Sequence, residues 1–268
     1  MKHLWSRDGE LALSSLAGSN ALFAFDFDGT LAPIVLQPDR ARVATGVFSR
    51  LAKLARLAPV AVISGRSLSD LRSRIPDDVR LSVGNHGSER IETDSDLNPM
   101  RETCRQWLEQ LRPRVDAFDD EGIFVEDKGI TLSVHFRMAR DRERAERAIA
   151  DWILDLVPIP RVIGGKLVFN LLPAQARTKF EAVTDLAADE SAEAVLFVGD
   201  DLTDETVFEQ APSHWITVRV ERDRNSRARF FIGDQSDVSN LLDRLIAMRT
   251  GDPAELRGRR THRGATRS

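Results

Sequence analysis

Two groups of carboxylates carry the strongest chemical signal in the chain. Asp26 and Asp28 follow the apolar run Ala21-Leu22-Phe23-Ala24-Phe25, which reads as a strand buried on both faces. Asp200, Asp201 and Asp204 follow a second such run, Ala194-Val195-Leu196-Phe197-Val198. Acids at the mouth of a buried strand are costly unless paired or metal-bound. Two chemistries relieve that cost: a hard divalent cation takes carboxylate oxygens, and an aspartate can serve as a nucleophile that becomes an aspartyl-phosphate. Asp26 and Asp28 project alike from an extended chain, whose side chains repeat every second residue. The plain alternative is a strand ending in an acidic turn, which Asp28-Gly29 alone would signal. If the two strands are neighbours, the acids of both groups converge on one edge. Their repulsion raises their pKa values, and a bound Mg²⁺ relieves it.

Phosphoryl transfer also needs donors for phosphate oxygens and a cation to meet developing charge. Ser64, in the turn Ser64-Gly65-Arg66, offers a hydroxyl beside backbone amides. Lys179, at the start of a later helix, offers the cation. Alone, each is an ordinary turn serine or helical lysine; their order along the chain makes them informative.

These residues need a scaffold that brings strand ends together. Val60–Ile63 and Leu81–Val83 read as further short strands, separated by amphipathic helices. Strand alternating with helix predicts an α/β fold, a Rossmann-like parallel sheet with ligands outside the carboxyl ends of its strands. Between residues 91 and 173 the style changes to helix, hairpin, helix, hairpin. One hairpin turns at Asp127-Lys128-Gly129 and the other around Gly164-Gly165. The expected organisation is a catalytic core from 1–90 and 174–249, an inserted α+β cap at 91–173, and a basic, disordered tail at 250–268. Hinges are expected near 89–92 and 171–174.

Composition narrows the function. The 268 residues are 42% hydrophobic and 30% charged with net charge −4, which suits a soluble globular protein and supplies no general basic field for nucleic acid. No apolar run is long enough to span a bilayer. A single cysteine, Cys104, rules out an intrachain disulfide and suits a reducing, cytoplasmic setting. Arg101 and Arg105 flank it without a base partner, so Cys104 reads as structural. The expected partner is a small molecule, bound by a monomer.

Asp26-Phe27-Asp28-Gly29-Thr30, Ser64-Gly65-Arg66, Lys179 and Gly199-Asp200-Asp201-Leu202-Thr203-Asp204 resemble, in order, the motifs of haloacid-dehalogenase-type phosphohydrolases. That resemblance implies Asp26 as nucleophile and Asp28 as general acid/base, with Ser64 and Lys179 completing the catalytic set. Asp26, the Asp28 carbonyl and Asp200 would hold Mg²⁺, with Thr30, Asp201 and Asp204 behind them. More narrowly, Gly84-Asn85-His86-Gly87-Ser88-Glu89 is similar to an element of trehalose-6-phosphate phosphatases, and Val125-Glu126-Asp127-Lys128, Ser133 and His135-Phe136-Arg137 to that family's cap signature. The resemblance places Arg66, His86, Glu89, Glu126, Lys128, Ser133 and Asn170 at the substrate. The family usually carries Glu where Asn170 stands, a basic residue where Leu172 stands, and Gly where Phe180 stands.

The implied activity is Mg²⁺-dependent hydrolysis of trehalose 6-phosphate to trehalose and phosphate through an aspartyl-phosphate. The alternatives are a phosphatase for another sugar phosphate or phosphorylated glycoside, and a catalytically silent sugar-phosphate sensor. An intact nucleophile beside an acid/base argues against the sensor.

Overall fold

The structure, a computed structural model, describes residues 1–35, 37–90 and 97–251. The expected tail from 252 onward and the boundary and hinge positions at 91–92 lie outside the described residues. In chain order the elements begin with β1 (Lys2–His3), α1 (Arg7–Ser14), β2 (Ala21–Phe25), α2 (Thr45–Ala55), β3 (Val60–Ile63), α3 (Leu68–Arg72) and β4 (Leu81–Val83). Then come α4 (Asn98–Asp116), β5 (Phe124–Asp127), β6 (Leu132–His135), α5 (Arg142–Leu154), β7 (Arg161–Gly165) and β8 (Val168–Leu172). The chain closes with α6 (Lys179–Asp189), β9 (Ala194–Gly199), α7 (Glu205–Gln210), β10 (Ile216–Val220), β11 (Phe230–Ile232) and α8 (Asp237–Thr250).

Seven strands form one parallel sheet in the order β1-β11-β10-β9-β2-β3-β4. The two acid-bearing strands are neighbours, with Phe25 opposite Val198. Every residue of β2 is fully buried, because helices cover both faces of the sheet. One face packs Phe23 and Phe25 against Leu51, Leu54 and Leu241; the other packs Ala24 and Phe197 against Val183, Leu186 and Phe208. Rigid packing on both sides fixes where the strand ends, and so where the acids emerge.

Strands β5 to β8 form a separate antiparallel sheet, ordered β5-β6-β8-β7. Strand alternation divides its faces. Leu132, Val134 and Leu171 pack against Trp107, Leu111 and Ile149 of α4 and α5. Ser133, His135 and Asn170 therefore turn to the opposite face. Cys104 lies in the same apolar core, and burial pushes its thiol up to about 12, in keeping with a structural role.

The first hairpin turns through Gly129 at φ 86°, as its sequence suggests, whereas the second turns later than its glycines suggest. Asp127 completes β5, and the connection runs from 128 to 131, with the Lys128 N–H donating to Thr131 O at 3.0 Å. Gly164 and Gly165 lie within β7, and the turn falls at Lys166-Leu167, with Leu167 at φ 65°. The physical reason is close approach. A Cβ on Gly165 would stand 2.7 Å from Val168 Cγ1 and 3.5 Å from Asp201 Oδ2. Gly165 thus lets β7 pass tightly over its own hairpin beside the acidic loop. Strand β1 was not expected, since two residues beside β11 carry no periodic signal.

Candidate active site

The acids of β2 and β9 meet as the register requires. Asp26 is the residue immediately after β2; its N–H donates to Val198 O at 2.8 Å, which ties it to β9. Lys179, the first residue of α6, is buried to 2% exposure and bridges the two acidic loops. Its Nζ donates to Asp26 Oδ1 at 2.5 Å and to Asp204 Oδ1 at 2.7 Å. A capping box between Thr178 and Glu181 fixes the start of α6, and with it the lysine stem. Burial would lower the Lys179 pKa, but the Asp204 and Asp26 charges outweigh it and hold the ammonium well above its usual value.

Asp204 is fully buried, and both its oxygens are engaged: Oδ2 accepts the N–H groups of Asp200 and Asp201, each at 2.9 Å. It shapes the loop and holds Lys179. Asp26, Asp200 and Asp204 each place an oxygen within 4.8 Å of the others. Burial, with Asp204 and Asp28 adding to it and Lys179 opposing, raises the Asp26 carboxyl to about 7. Burial and the repulsion of Asp26, Asp204 and Asp201 push Asp200 up to about 9. Burial likewise raises Asp201, which caps the following turn through Leu202 N–H. One ammonium leaves this charge under-compensated. Hard oxygens with unrelieved repulsion are the donor set that a divalent cation takes, so the residues fit such an ion. Gly29 makes room for the Asp200 carboxylate: at φ 90°, a Cβ there would fall 2.0 Å from Asp200 Oδ2. Thr30, fully buried, stands behind, its Oγ1 3.4 Å from Asp200 Oδ1.

Asp26 and Asp28 both line the cavity, but Asp28 holds its carboxylate apart from the oxygen cluster. The chain leaves β2 at Phe25, so strand alternation no longer governs it. The Asp28 carboxylate is absent from the oxygen cluster, and Arg66 grips it from both sides: Nε to Oδ2 and Nη2 to Oδ1, each 2.7 Å. Arg66 also donates to Asp70 and to Pro38 O, and its guanidinium lies 5.2 Å from the Phe27 ring centroid. A guanidinium so committed positions Asp28, and Arg66 also lines the cavity, where it was expected to meet the substrate. Ser64 is buried at the end of β3 with its Oγ accepting Arg66 N–H at 3.2 Å.

His86 lines the same cavity with φ 59° and is 5% exposed. Neither ring nitrogen has a hydrogen-bond partner among the described residues. Burial, then the charges of Lys128 and Lys179, holds it well below the ordinary histidine pKa and therefore neutral. A Cβ at Gly65 would fall 2.3 Å from its ring, so that glycine is needed for the ring to lie there. Glu89 is placed elsewhere. It does not line the cavity; its Oε2 accepts Leu68 N–H and the Asn85 amide, each at 2.7 Å, pinning the start of α3 to the turn after β4.

A cavity of about 950 Å³ lies between the acids and the antiparallel sheet. From the sheet, Glu126, Lys128, His135, Val168 and Asn170 line it. Glu126, Ser133 and Asn170 stand opposite one another across β5, β6 and β8. Glu126 faces Lys128 Nζ at 3.8 Å; burial would raise its carboxyl, but the His135 contact and that ammonium hold it below the usual range. Burial lowers the Lys128 pKa. Ser133 is fully buried and outside the cavity wall, donating to Asn170 Oδ1 at 2.7 Å. Asn170 reaches the wall, but its amide also donates to Ile163 O at 3.3 Å. His135 and Arg137, named from sequence only within the cap signature, also line the cavity, and the residues not singled out from sequence include the segment from Arg219 to Asn225, which starts within β10 and runs past its end. His135 had a usable signal, being two residues from Ser133 and so on one face. Arg219 had another, a charge inside the apolar run Val218-Arg219-Val220.

Residues 24–236 match the family described as trehalose-phosphatase. The trehalose-phosphate phosphatase of Mycobacterium tuberculosis strain H37Rv is 32% identical over 250 residues, covering 88% of this chain and 63% of that protein. An uncharacterized glycosyl hydrolase of the same species and strain is 30% identical over 251 residues, 86% of this chain and 18% of that protein. The chain therefore spans less than two thirds of these curated relatives. Among solved structures, the C-terminal domain of C. albicans trehalose-6-phosphate phosphatase superposes with a TM-score of 0.70 at 21% identity, covering 89% of this chain and 96% of that one. A trehalose-6-phosphate phosphatase related protein gives 0.68 at 20%, covering 86% and 99%. At those identities the structures speak to the fold. The match from 24 to 236 takes in both acid loops, Lys179 and the whole antiparallel sheet, and by it this chain belongs to the trehalose-phosphatase family.

Proposed function

We propose that the protein is a Mg²⁺-dependent phosphatase that hydrolyses trehalose 6-phosphate to trehalose and phosphate. The observation that carries this reading is Lys179 bridging Asp26 and Asp204 beneath a cavity roofed by Glu126, Lys128 and Asn170. One wall suits phosphate chemistry and the other suits hydroxyl recognition.

Asp26 attacks phosphorus, and the bond to the sugar oxygen breaks as an aspartyl-phosphate forms. Asp28 gives the leaving oxygen its proton, then takes one from the water that releases phosphate. Arg66 holds both Asp28 oxygens here, so one of them must leave the guanidinium and take up a proton before the acid step. Lys179 and Ser64 meet the phosphate oxygens. Asp26, the Asp28 carbonyl and Asp200 would hold Mg²⁺, which supplies charge neutralisation for the phosphate. The segment 91–173 acts as a cap whose closure excludes water and delivers Glu126 and Lys128 to the sugar. The lone, buried Cys104 accords with a cytoplasmic setting.

Asn170 favours a second reading, a phosphatase for another phosphorylated sugar or glycoside. Its amide is committed to Ser133 and Ile163, where relatives by the resemblance above usually carry Glu. Phosphate release from trehalose 6-phosphate, with Mg²⁺ or with chelator, tests the main reading. Release only with Mg²⁺, abolished by Asp26→Asn, is expected; turnover retained in pure Asp26→Asn protein would remove the nucleophile from the account.

A further inference from the structure

His135 plays no part in the reaction as derived above, yet the antiparallel sheet is arranged around it. Phe124 stands opposite it and Glu126 opposite Ser133, so Glu126 and His135 are diagonal neighbours on the face that meets the cavity. The His135 Nε2 lies 2.8 Å from Glu126 Oε2. The Phe124 ring stacks on the imidazole, with centroids 4.5 Å apart and planes at 12°, which fixes the direction in which Nε2 points. Lys128 Nζ approaches the same oxygen at 3.8 Å. Both neighbours therefore converge on Oε2. Among the described residues Oε1 has no hydrogen-bond partner, and Glu126 lines the cavity.

A glutamate on an edge strand has three side-chain torsions to order before it can bind a hydroxyl. Ordering them in advance lowers what binding must offset. We propose that His135 is a positioning residue that pins Glu126 through Oε2, so that Oε1 is presented to a sugar hydroxyl, and that the Phe124–His135–Glu126 relay thereby sets preference for the sugar. The proposal rests on Glu126 contacting the sugar. It separates two jobs in one carboxylate: one oxygen is held by the protein and the other reads the ligand.

The test is a double-mutant cycle on the whole chain. It measures kcat and KM for trehalose 6-phosphate and for p-nitrophenyl phosphate, which has no sugar to read. His135→Ala is expected to lower kcat/KM for the disaccharide about tenfold, mainly through KM, with the aryl phosphate changed less than about twofold. His135→Gln, which keeps an N–H donor, should recover most of that loss. In a Glu126→Ala background, His135→Ala should do nothing further, because the group it positions is gone. Losses that add in full, a glutamine no better than alanine, or equal losses on both substrates would each overturn the proposal. Glu126→Ala leaving the disaccharide unaffected would overturn it as well. Wild-type protein that ignores trehalose 6-phosphate and cleaves another sugar phosphate refutes the main functional reading only; the same cycle on that sugar then decides the role of His135.

Discussion

Replacing Lys179 by Met keeps the aliphatic stem and removes the charge. The ammonium is 2% exposed and gives one bond to Asp26 at 2.5 Å and one to Asp204 at 2.7 Å. Two hydrogen bonds to charged groups at about 1.5–3 kcal/mol each suggest a loss of roughly 3–6 kcal/mol. Removing one partner of a buried ion pair gives an independent bracket of about 3–5 kcal/mol. The two agree, and at roughly 2–4 °C per kcal/mol they translate to a fall in Tm on the order of 10 °C or more. The loss should depend on pH in a defined sense. The Lys179 pKa is raised above its unfolded value, so its contribution is fully present below about 10.5 and constant from pH 6 to 8.5. In the variant, Asp26 loses the ammonium that opposes its raised pKa and can be neutralised only by a proton, so the deficit grows as pH rises through that range. The assay is a urea midpoint by tryptophan fluorescence, with chelator present, at both pH values. A change under about 1 kcal/mol, or a deficit larger at pH 6, would refute this account of the buried charges.

Asp26 and Asp200, raised to about 7 and about 9 by burial first, give the metal-free protein stability that is lost as pH rises through those values. Mg²⁺ should therefore raise Tm more at pH 9 than at pH 6, and a shift that shrinks with pH would place the ion elsewhere. Gly29→Ala adds a methyl at φ 90° against the Asp200 carboxylate; cation affinity by calorimetry should collapse while stability falls by only about 1–2 kcal/mol. Lys128→Ala should cut kcat/KM for the disaccharide roughly ten- to a hundredfold and spare an aryl phosphate, which does not reach the roof. Equal losses on both would mean that Lys128 serves the fold or the phosphate.

The acid loops were legible because each follows an apolar run too buried to carry a carboxylate without reason. Their adjacency then followed from the parallel sheet, with Phe25 beside Val198. Lys179 was legible as a helix-start lysine, although its bridge to Asp204 needed the fold. What stayed hidden depended on where side chains travel after the backbone leaves regular structure. Nothing in Ser64-Gly65-Arg66 says that the arginine turns back to Asp28, or that Glu89 caps α3 through Leu68 N–H. Alternation put Ser133 on the right face, but not beneath Asn170 and out of the cavity. Gly164-Gly165 signalled a turn, but both lie within β7, where close packing requires Gly165 to be a glycine.

The most direct test of the central claim is a competition. Equal concentrations of trehalose 6-phosphate, glucose 6-phosphate and a phosphorylated glycoside are mixed with the protein and Mg²⁺, and the loss of each is followed by mass spectrometry. Loss rates at equal concentration report the ratio of kcat/KM values, which is specificity itself. The account predicts that trehalose 6-phosphate disappears first, by at least about tenfold, and that chelator stops all three. Consumption of all three at one rate, or of the glycoside first, would contradict it.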